Sequence, residues 1–389
     1  MEKQKTRMGL LPRIFIAIAL GIAFGLLSPD CGIRATNCFA ATFAQFIRFI
    51  VPFIILGFVT PAIAETGRSA GKMLLLTVAI AWCSTVLFGY MAYFASSSVF
   101  PSVISGTLGD ASQAKVFPPY FKLAIPPVVD VVTALAISFM FGFGIVASGS
   151  DKLRGIAVEL RDVVNATLAK AFVPLLPAYV FTMMADLTAS GKLLVVGGSC
   201  VKIMALAVGL SLVVLLAQFT IAGLVARKNP LKALWTMMPA YLTGLGCCSS
   251  AATIPYTLAQ TRKNGVSDET SALVIPLCSN IHMAGSMSNM VVYAAGLLVL
   301  MGRPLEFAAF TEYILMISVI AVASPGVPGG IVLASATVAE TALGFDPRSY
   351  AIMIAVYMAL DGMGTACNLT GDGAIALLVD RFRGRPART

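Results

Sequence analysis

Residues 360–372 read Leu360-Asp361-Gly362-Met363-Gly364-Thr365-Ala366-Cys367-Asn368-Leu369-Thr370-Gly371-Asp372. They lie inside an apolar run, 349–379, long enough to cross a bilayer as one helix. Asp361, Thr365, Asn368 and Asp372 are spaced four, three and four, which puts all four on one helical face. Two carboxylates within an apolar span are costly and need partners. An apolar helix with one stripe of acid and amide lines a cavity or coordinates a cation, and oxygen ligands suit a hard cation such as sodium. The alternative is that the acids are buried against Arg48, Lys170 or Lys202.

The composition puts that helix in a membrane. Of 389 residues, 58% are hydrophobic and 12% charged, whereas soluble domains run at about 45–50% apolar and about 25% charged. So few charges cannot cover so much apolar surface in a soluble fold. Disorder needs low hydrophobicity and is excluded too. The formal net charge of +9 reads as cytoplasmic-loop lysine and arginine, with no call for nucleic acid.

Working outward, the apolar runs are 11–28, 44–64, 73–99, 125–148, 155–185, 193–225, 269–301 and 349–379. That predicts an all-α polytopic membrane protein with eight transmembrane helices. The first run follows Lys3, Lys5, Arg7 and Arg13 without a clean small-x-small cleavage site, so it reads as a first membrane helix. Two further stretches, 231–262 and 308–342, are apolar but broken by Gly, Ser and Pro. Each reads as helix, polar tip and helix, that is, a re-entrant hairpin; irregular backbone at membrane depth survives only inside protein or beside a wet cavity.

With both termini cytoplasmic, Arg68, Lys72, Lys152, Arg154, Arg227, Lys228, Lys232, Arg262, Lys263 and the arginines at 381, 383, 385 and 388 fall inside. Arg34, Lys115, Lys122, Lys192, Arg303 and Arg348 fall outside, which follows the positive-inside rule if the two hairpins enter from opposite sides. Opposed hairpins suggest an inverted repeat meeting at the midplane, a secondary-transporter design, in a multi-pass protein of the cell (inner) membrane.

Three other polar interruptions carry chemistry. Gly244-Leu245-Gly246-Cys247-Cys248-Ser249-Ser250-Ala251-Ala252-Thr253-Ile254-Pro255 loosens a helix and exposes backbone groups for a carboxylate or an ion; a small-residue helix contact is the plainer reading. Asn280-Ile281-His282-Met283-Ala284-Gly285-Ser286-Met287-Ser288-Asn289 contains the only histidine. Inside a span, that residue is a satisfied structural group, a handler of protons or cations, or a substrate contact. Ala323-Ser324-Pro325-Gly326-Val327-Pro328-Gly329-Gly330 cannot continue a helix and reads as a flexible lid.

Of the eight cysteines, Cys83, Cys200, Cys278 and Cys367 sit in apolar runs as small fillers, and adjacent Cys247 and Cys248 do not bridge easily. Cys31 and Cys38 flank an expected external loop and have the option of pairing in an oxidising compartment. No CxxC or Cys/His set suggests zinc.

With these segments in place, the order of elements from Leu11 to Arg381 resembles the dicarboxylate/amino acid:cation symporter family, the glutamate transporter family. The resemblance rests on the serine-rich tip with Thr253-Ile254-Pro255, the Gly326-Val327-Pro328-Gly329 tip, and Asp361…Thr365…Asn368…Thr370-Gly371-Asp372. It implies a homotrimer in which a fixed scaffold holds a mobile transport domain that moves like an elevator. On that pattern, 1–71 holds the first two spans as scaffold, 72–148 the third and fourth as mixed scaffold and transport, and 149–226 the fifth and sixth. The core transport domain is then 227–389, with hairpin 231–262, span 269–301, hairpin 308–342 and span 349–379.

The resemblance also implies roles. Ser249, Ser250 and Ala251 meet the substrate carboxylate, and Asp361 holds its amino group. Thr365, Asn368, Ser286 and the position of Gly364 complete the substrate site, with Gly326, Val327, Pro328 and Gly329 as lid. Asp372 ligates sodium with the backbone carbonyl of Asn368; Cys278, Asn280, His282 and Ser324 are the further cation-site positions. No other cofactor is implied.

The departures are informative. Members for acidic substrates carry an arginine on the last span, where this chain has Gly364; the hairpin position that is arginine in some members is Cys248. Recognition of a second carboxylate by a guanidinium is therefore absent. The family's Asn-Met-Asp-Gly-Thr is His282-Met283-Ala284-Gly285-Ser286 here, so the aspartate that ligates a further sodium site in the family is Ala284. The third span at Leu76-Thr77-Val78-Ala79-Ile80-Ala81 is poor in hydroxyl ligands. The chain is thus similar to the arginine-lacking serine/threonine:sodium branch. The expected function is symport of a small neutral amino acid with sodium, or with a proton. The alternatives are a dicarboxylate or acidic amino acid symporter, an ion channel, a non-transporting homologue, and an intramembrane hydrolase using Ser249 or Ser250 with His282.

Overall fold

The computed structural model describes residues 10–68, 72–104, 117–129, 131–167, 170–171, 173–191, 193–247, 250–322 and 329–383. Among them the regular structure is all helical. The helices are α1 (Leu10–Leu27), α2 (Asp30–Arg68), α3 (Lys72–Val103), α4 (Val131–Ser148), α5 (Asp151–Thr167), α6 (Val173–Ala189), α7 (Leu193–Ala226) and α8 (Pro230–Thr236). Then follow α9 (Met238–Cys247), α10 (Ser250–Lys263), α11 (Asp268–Ile281), α12 (Ala284–Leu300), α13 (Phe307–Val322), α14 (Gly330–Ala334), α15 (Ala336–Leu343) and α16 (Pro347–Arg383). Met73–Val103, Gly198–Ala226 and Asp268–Leu300 are long and apolar enough to cross a membrane, as is α16 if its halves Ile352–Met358 and Leu360–Arg383, bent by 59°, count as one span.

Three expectations are corrected. The run 155–185 is two helices, because α5 carries Asp151, Lys152, Arg154, Glu159, Arg161 and Asp162 and is amphipathic. Its buried Val164 lies against Gly57 of α2, where an added Cβ would come within 3.1 Å. The run 125–148 becomes helical only at Val131; before it, 117–129 is irregular, as Pro118, Pro119, Pro126 and Pro127 require. Cys31 and Cys38 flank no loop: both lie in α2 and both are free. Seven residues apart on a helix, their Cα atoms stand about 10 Å apart, beyond disulfide reach.

Packing sorts the helices into two groups. In the first, α1 packs on α6, and α2 on α4, α5 and α6. The α1–α6 contact is a close approach at Gly21 and Gly25, where a Cβ would fall 2.6 Å from Phe181 O and 2.5 Å from Ala185 O; small residues four apart allow such approaches. Buried Asn37 ties the group together, donating to Asp186 at 2.6 Å and to Phe117 O at 2.8 Å. The second group is α3 and α7 to α16; α3, α7, α13 and α16 pack directly on α12, which is buried at every position but Val299. The α3 side chains Trp82 and Tyr93 donate to Ser318 Oγ and Leu305 O on and beside α13.

Two places in the second group show the chain doubling back. After α9, α10 returns to pack on α9 and α8, and Asn264 at its end donates to Ala233 O at 2.9 Å. After α13, α15 returns to pack on α13, and Arg303 donates to Leu343 O at 2.6 Å and Gly344 O at 3.0 Å. Those carbonyls end a helix whose cap, Gly344, has φ 61°, so the guanidinium satisfies groups the helix leaves open.

Candidate functional site

The site forms where α16 crosses the break between α11 and α12. Helix α11 stops at Ile281, His282 and Met283 are extended or irregular, and α12 begins at Ala284. An interrupted buried helix leaves open carbonyls on one side and open N–H groups on the other. Thr85 Oγ1 on α3 accepts from Met283 N at 3.2 Å. Asn368 on α16 serves as the cap that α12 lacks in its own sequence: its Oδ1 accepts from Gly285 N at 2.9 Å and Ser286 N at 3.1 Å. Its Nδ2 donates to Ser286 Oγ at 2.9 Å, leaving one N–H of the amide for another partner. The helices come this close because of glycine: a Cβ on Gly285 would lie 2.5 Å from the Cys367 Cβ. On α9, a Cβ at Gly244 would lie 2.6 Å from Leu369, seating the first returning pair on α16.

The four-residue stripe holds together as the spacing requires. Asp361, Thr365, Asn368 and Asp372 are all buried. Asp361 follows the bend in α16, and its Oδ2 accepts from Gly329 N at 2.9 Å. Gly329 has φ 74°, which glycine adopts without penalty, and is the described residue that adjoins the second tip. Buried Tyr357 faces Asp361 and Ser286. Thr365 makes no side-chain hydrogen bond among the described residues. The position of Gly364 faces Ser286 and Asn289: a Cβ there would be 3.1 Å from Ser286 Oγ and 3.3 Å from Asn289 Nδ2. Asn289 is itself held through its Oδ1, which accepts from Ser211 Oγ at 3.3 Å.

Asp372 has a partner of its own. Its Oδ1 accepts from His282 Nδ1 at 2.9 Å, both side chains being almost fully buried. On the other side of the ring, Gln218 Nε2 approaches His282 Nε2 at 3.0 Å and Ser84 Oγ stands at 3.2 Å. Gln218 Nε2 also donates to Ser84 Oγ at 3.0 Å. The ring therefore sets one nitrogen against the carboxylate and the other against the Gln218 amide and the Ser84 hydroxyl. The acids are therefore not buried against Lys170, which is exposed, or against Lys202, which donates to Val103 O; the Arg48 side chain lies outside the described residues.

Other expected positions divide. Cys278 is buried beside Asp372. Asn280 is not gathered in: it is exposed and donates to Pro276 O of its own helix at 3.1 Å. Ser250 opens α10 and is half-buried. Ser249, Ser324, Gly326, Val327 and Pro328 lie outside the described residues, as does the Ala251 side chain. Among the described residues, no cluster of three or more His, Cys, Asp or Glu forms a metal site. Ser84, Thr85, Gln218 and Tyr357 were not anticipated, whereas Asn289 closes the polar stretch 280–289; the available signal was a polar side chain in an apolar run, clearest at Gln218. The third-span hydroxyls that matter lie just past residues 76–81, at Ser84 and Thr85.

The sequence pattern of the sodium:dicarboxylate symporter family matches residues 10–382. The chain is 25% identical over 345 residues to the serine/threonine transporter SstT of Streptococcus thermophilus (strain ATCC BAA-250 / LMG 18311), covering 84% of each chain. It is 23% identical over 341 residues to its namesake from Streptococcus suis (strain 05ZYH33), covering 84% of this chain and 93% of that one. A shorter match, 30% over 163 residues, spans 42% of this chain and 30% of the neutral amino acid transporter B(0) of Bos taurus.

Proposed function

Because the chain belongs to the sodium:dicarboxylate symporter family, we propose that it is a secondary active transporter that carries a small neutral amino acid, serine, threonine or alanine first, together with a cation. Sodium is the ion the family description names, and a proton is the alternative. The observation that carries the reading is the pairing of a buried carboxylate, Asp361, with glycine at 364 one turn along. A carboxylate has acceptor capacity beyond the Gly329 bond, enough to hold an α-ammonium group while it grips the end of the second tip. The position of Gly364 is closed off by Ser286 Oγ and Asn289 Nδ2, 3.1 and 3.3 Å from where a Cβ would stand, so it supplies no counter-charge for a second carboxylate. The names of the relatives, serine/threonine and neutral amino acid transporters, support the same class.

In this reading the carboxylate of the substrate meets the first tip at Ser249, Ser250 and Ala251. The two returning helix pairs are re-entrant hairpins, both termini are cytoplasmic, and the second packing group moves against the first as an elevator within a homotrimer of the cell membrane. The test is uptake of Ser, Thr, Ala, Asp and Glu into proteoliposomes under a sodium gradient alone and a proton gradient alone. Serine, threonine or alanine should win; a clear win for aspartate or glutamate overturns the neutral assignment.

One geometric coincidence invites a second reading. Asp372, His282 and Ser84 line up as acid, imidazole and hydroxyl, and among the described residues the serine that meets His282 is Ser84. Gln218 Nε2 stands closer to that ring nitrogen, at 3.0 Å, than Ser84 Oγ does at 3.2 Å, so the imidazole is shared and not dedicated to Ser84 as a general base.

A further inference from the structure

We propose that His282 is a tethered occupant of the cation position at Asp372, so that this chain moves its cargo without a sodium ion ligated by that carboxylate. The family resemblance puts sodium at Asp372 and at the backbone carbonyl of Asn368, and the residues around them decide whether an ion fits. Asp372 is 1% exposed and its Oδ1 takes an N–H at 2.9 Å from a ring that is itself 0% exposed. A hard cation needs a shell of oxygens. The side-chain groups set against the carboxylate are an N–H and the Cys278 thiol. Gln218 Oε1 is buried without a hydrogen bond and α11 ends in open carbonyls, so oxygens are at hand; what an ion lacks is the carboxylate, already engaged by the ring.

The arrangement is built around the ring. Gln218 from α7 and Ser84 from α3 close on Nε2, so two helices hold the imidazole against the third, α16. Room for it comes from Gly371: a Cβ there would lie 2.8 Å from the ring Cε1 and 2.4 Å from Gln218 Oε1. An ion that took the carboxylate would have to expel the imidazole and strip the amide and hydroxyl of their bonds. The proposal rests on the transporter reading for what the site serves, while the occupancy is a property of the protein at rest.

Binding is tested without transport. The purified full-length chain is melted at fixed pH and ionic strength while choline chloride is replaced by sodium chloride; an ion bound to the folded state raises Tm. Wild type and Asp372→Asn should respond to sodium alike, and His282→Gly, which removes the ring and keeps the acid, should gain a sodium-specific rise. A saturable sodium-specific rise in wild type that Asp372→Asn abolishes overturns the proposal. If Asp372→Asn does not fold, His282→Asn decides: stronger sodium stabilisation than wild type supports the proposal, and equal saturable stabilisation overturns it. Serine uptake separates the two claims. Accumulation by a wild type that binds sodium at Asp372 overturns the occupancy and keeps the transporter. No amino-acid uptake under either gradient overturns the transporter, and the melting comparison still stands.

Discussion

Asp361 does two things through one carboxylate: it takes the Gly329 N–H at 2.9 Å and, in the proposed function, the substrate ammonium. Asp361→Asn separates them, since the amide oxygen still accepts from Gly329 but carries no charge. Neutral amino-acid uptake should be lost while Tm changes little; uptake with unaltered KM would remove the amino-group role. Asn368 is the structural member of the same stripe. Asn368→Ala strips the cap from α12 and should lower stability by about 1–2 kcal/mol, read as a fall in Tm, with Asn368→Asp restoring part of it because a carboxylate oxygen accepts the same N–H groups. The stripe was legible because helical periodicity alone puts residues 361, 365, 368 and 372 on one face. Its partners were not: Ser84 and Gln218 lie 198 and 64 residues from His282, and only tertiary packing brings them together.

Helices in this chain meet where side chains are missing, and that makes the contacts testable element by element. Gly25→Leu drives a side chain into Ala185 O, 2.5 Å from its Cβ, and should part α1 from α6. Gly285→Ala meets Cys367 at 2.5 Å and should cost about 1–3 kcal/mol as overpacking. Gly209→Ala on α7, with nothing within 4 Å, serves as the control and should shift stability by less than ~1 kcal/mol. Tm for the three variants in one detergent checks the order; an intact Gly285→Ala beside a damaged Gly209→Ala would refute the packing account. Apolar run length located most elements but could not separate α5 from α6, because Ile156, Val163 and Val164 sustain the run while the charges of α5 mark a different face. It also missed how early α2 begins: Asp30 to Thr42 contains too many polar residues to read as a span, yet helical packing on α6 and Asn37 hold it.

At the scale of the molecule, the two packing groups differ in what joins them. Every long-range side-chain hydrogen bond described above stays inside one group. Between the groups, α2 meets α13, α14 and α15, α1 and α6 meet α16, and α6 meets α7; buried Ile50, Ile54, Ile55 and Val59 of α2 share one apolar core with residues of α13, α14 and α15. Apolar surfaces without fixed hydrogen bonds slide with little penalty, the shear mode of domain motion, whereas α12 and α16 are locked by Asn368 and must travel together. The stripe of Asp361, Thr365, Asn368 and Asp372, both returning helix pairs and the His282–Asp372 unit all lie in the second group, so a site that moves would move whole. A cysteine pair joining α2 to α15, oxidised in proteoliposomes, should therefore arrest serine uptake, and reduction should restore it. A pair joining α1 to α6, inside the first group, should leave uptake intact when fully oxidised. Uptake that continues with the α2–α15 link complete by mass would mean that cargo crosses without relative movement of the groups, and the elevator reading would fall while the substrate site remained to be explained by a gate at the second tip.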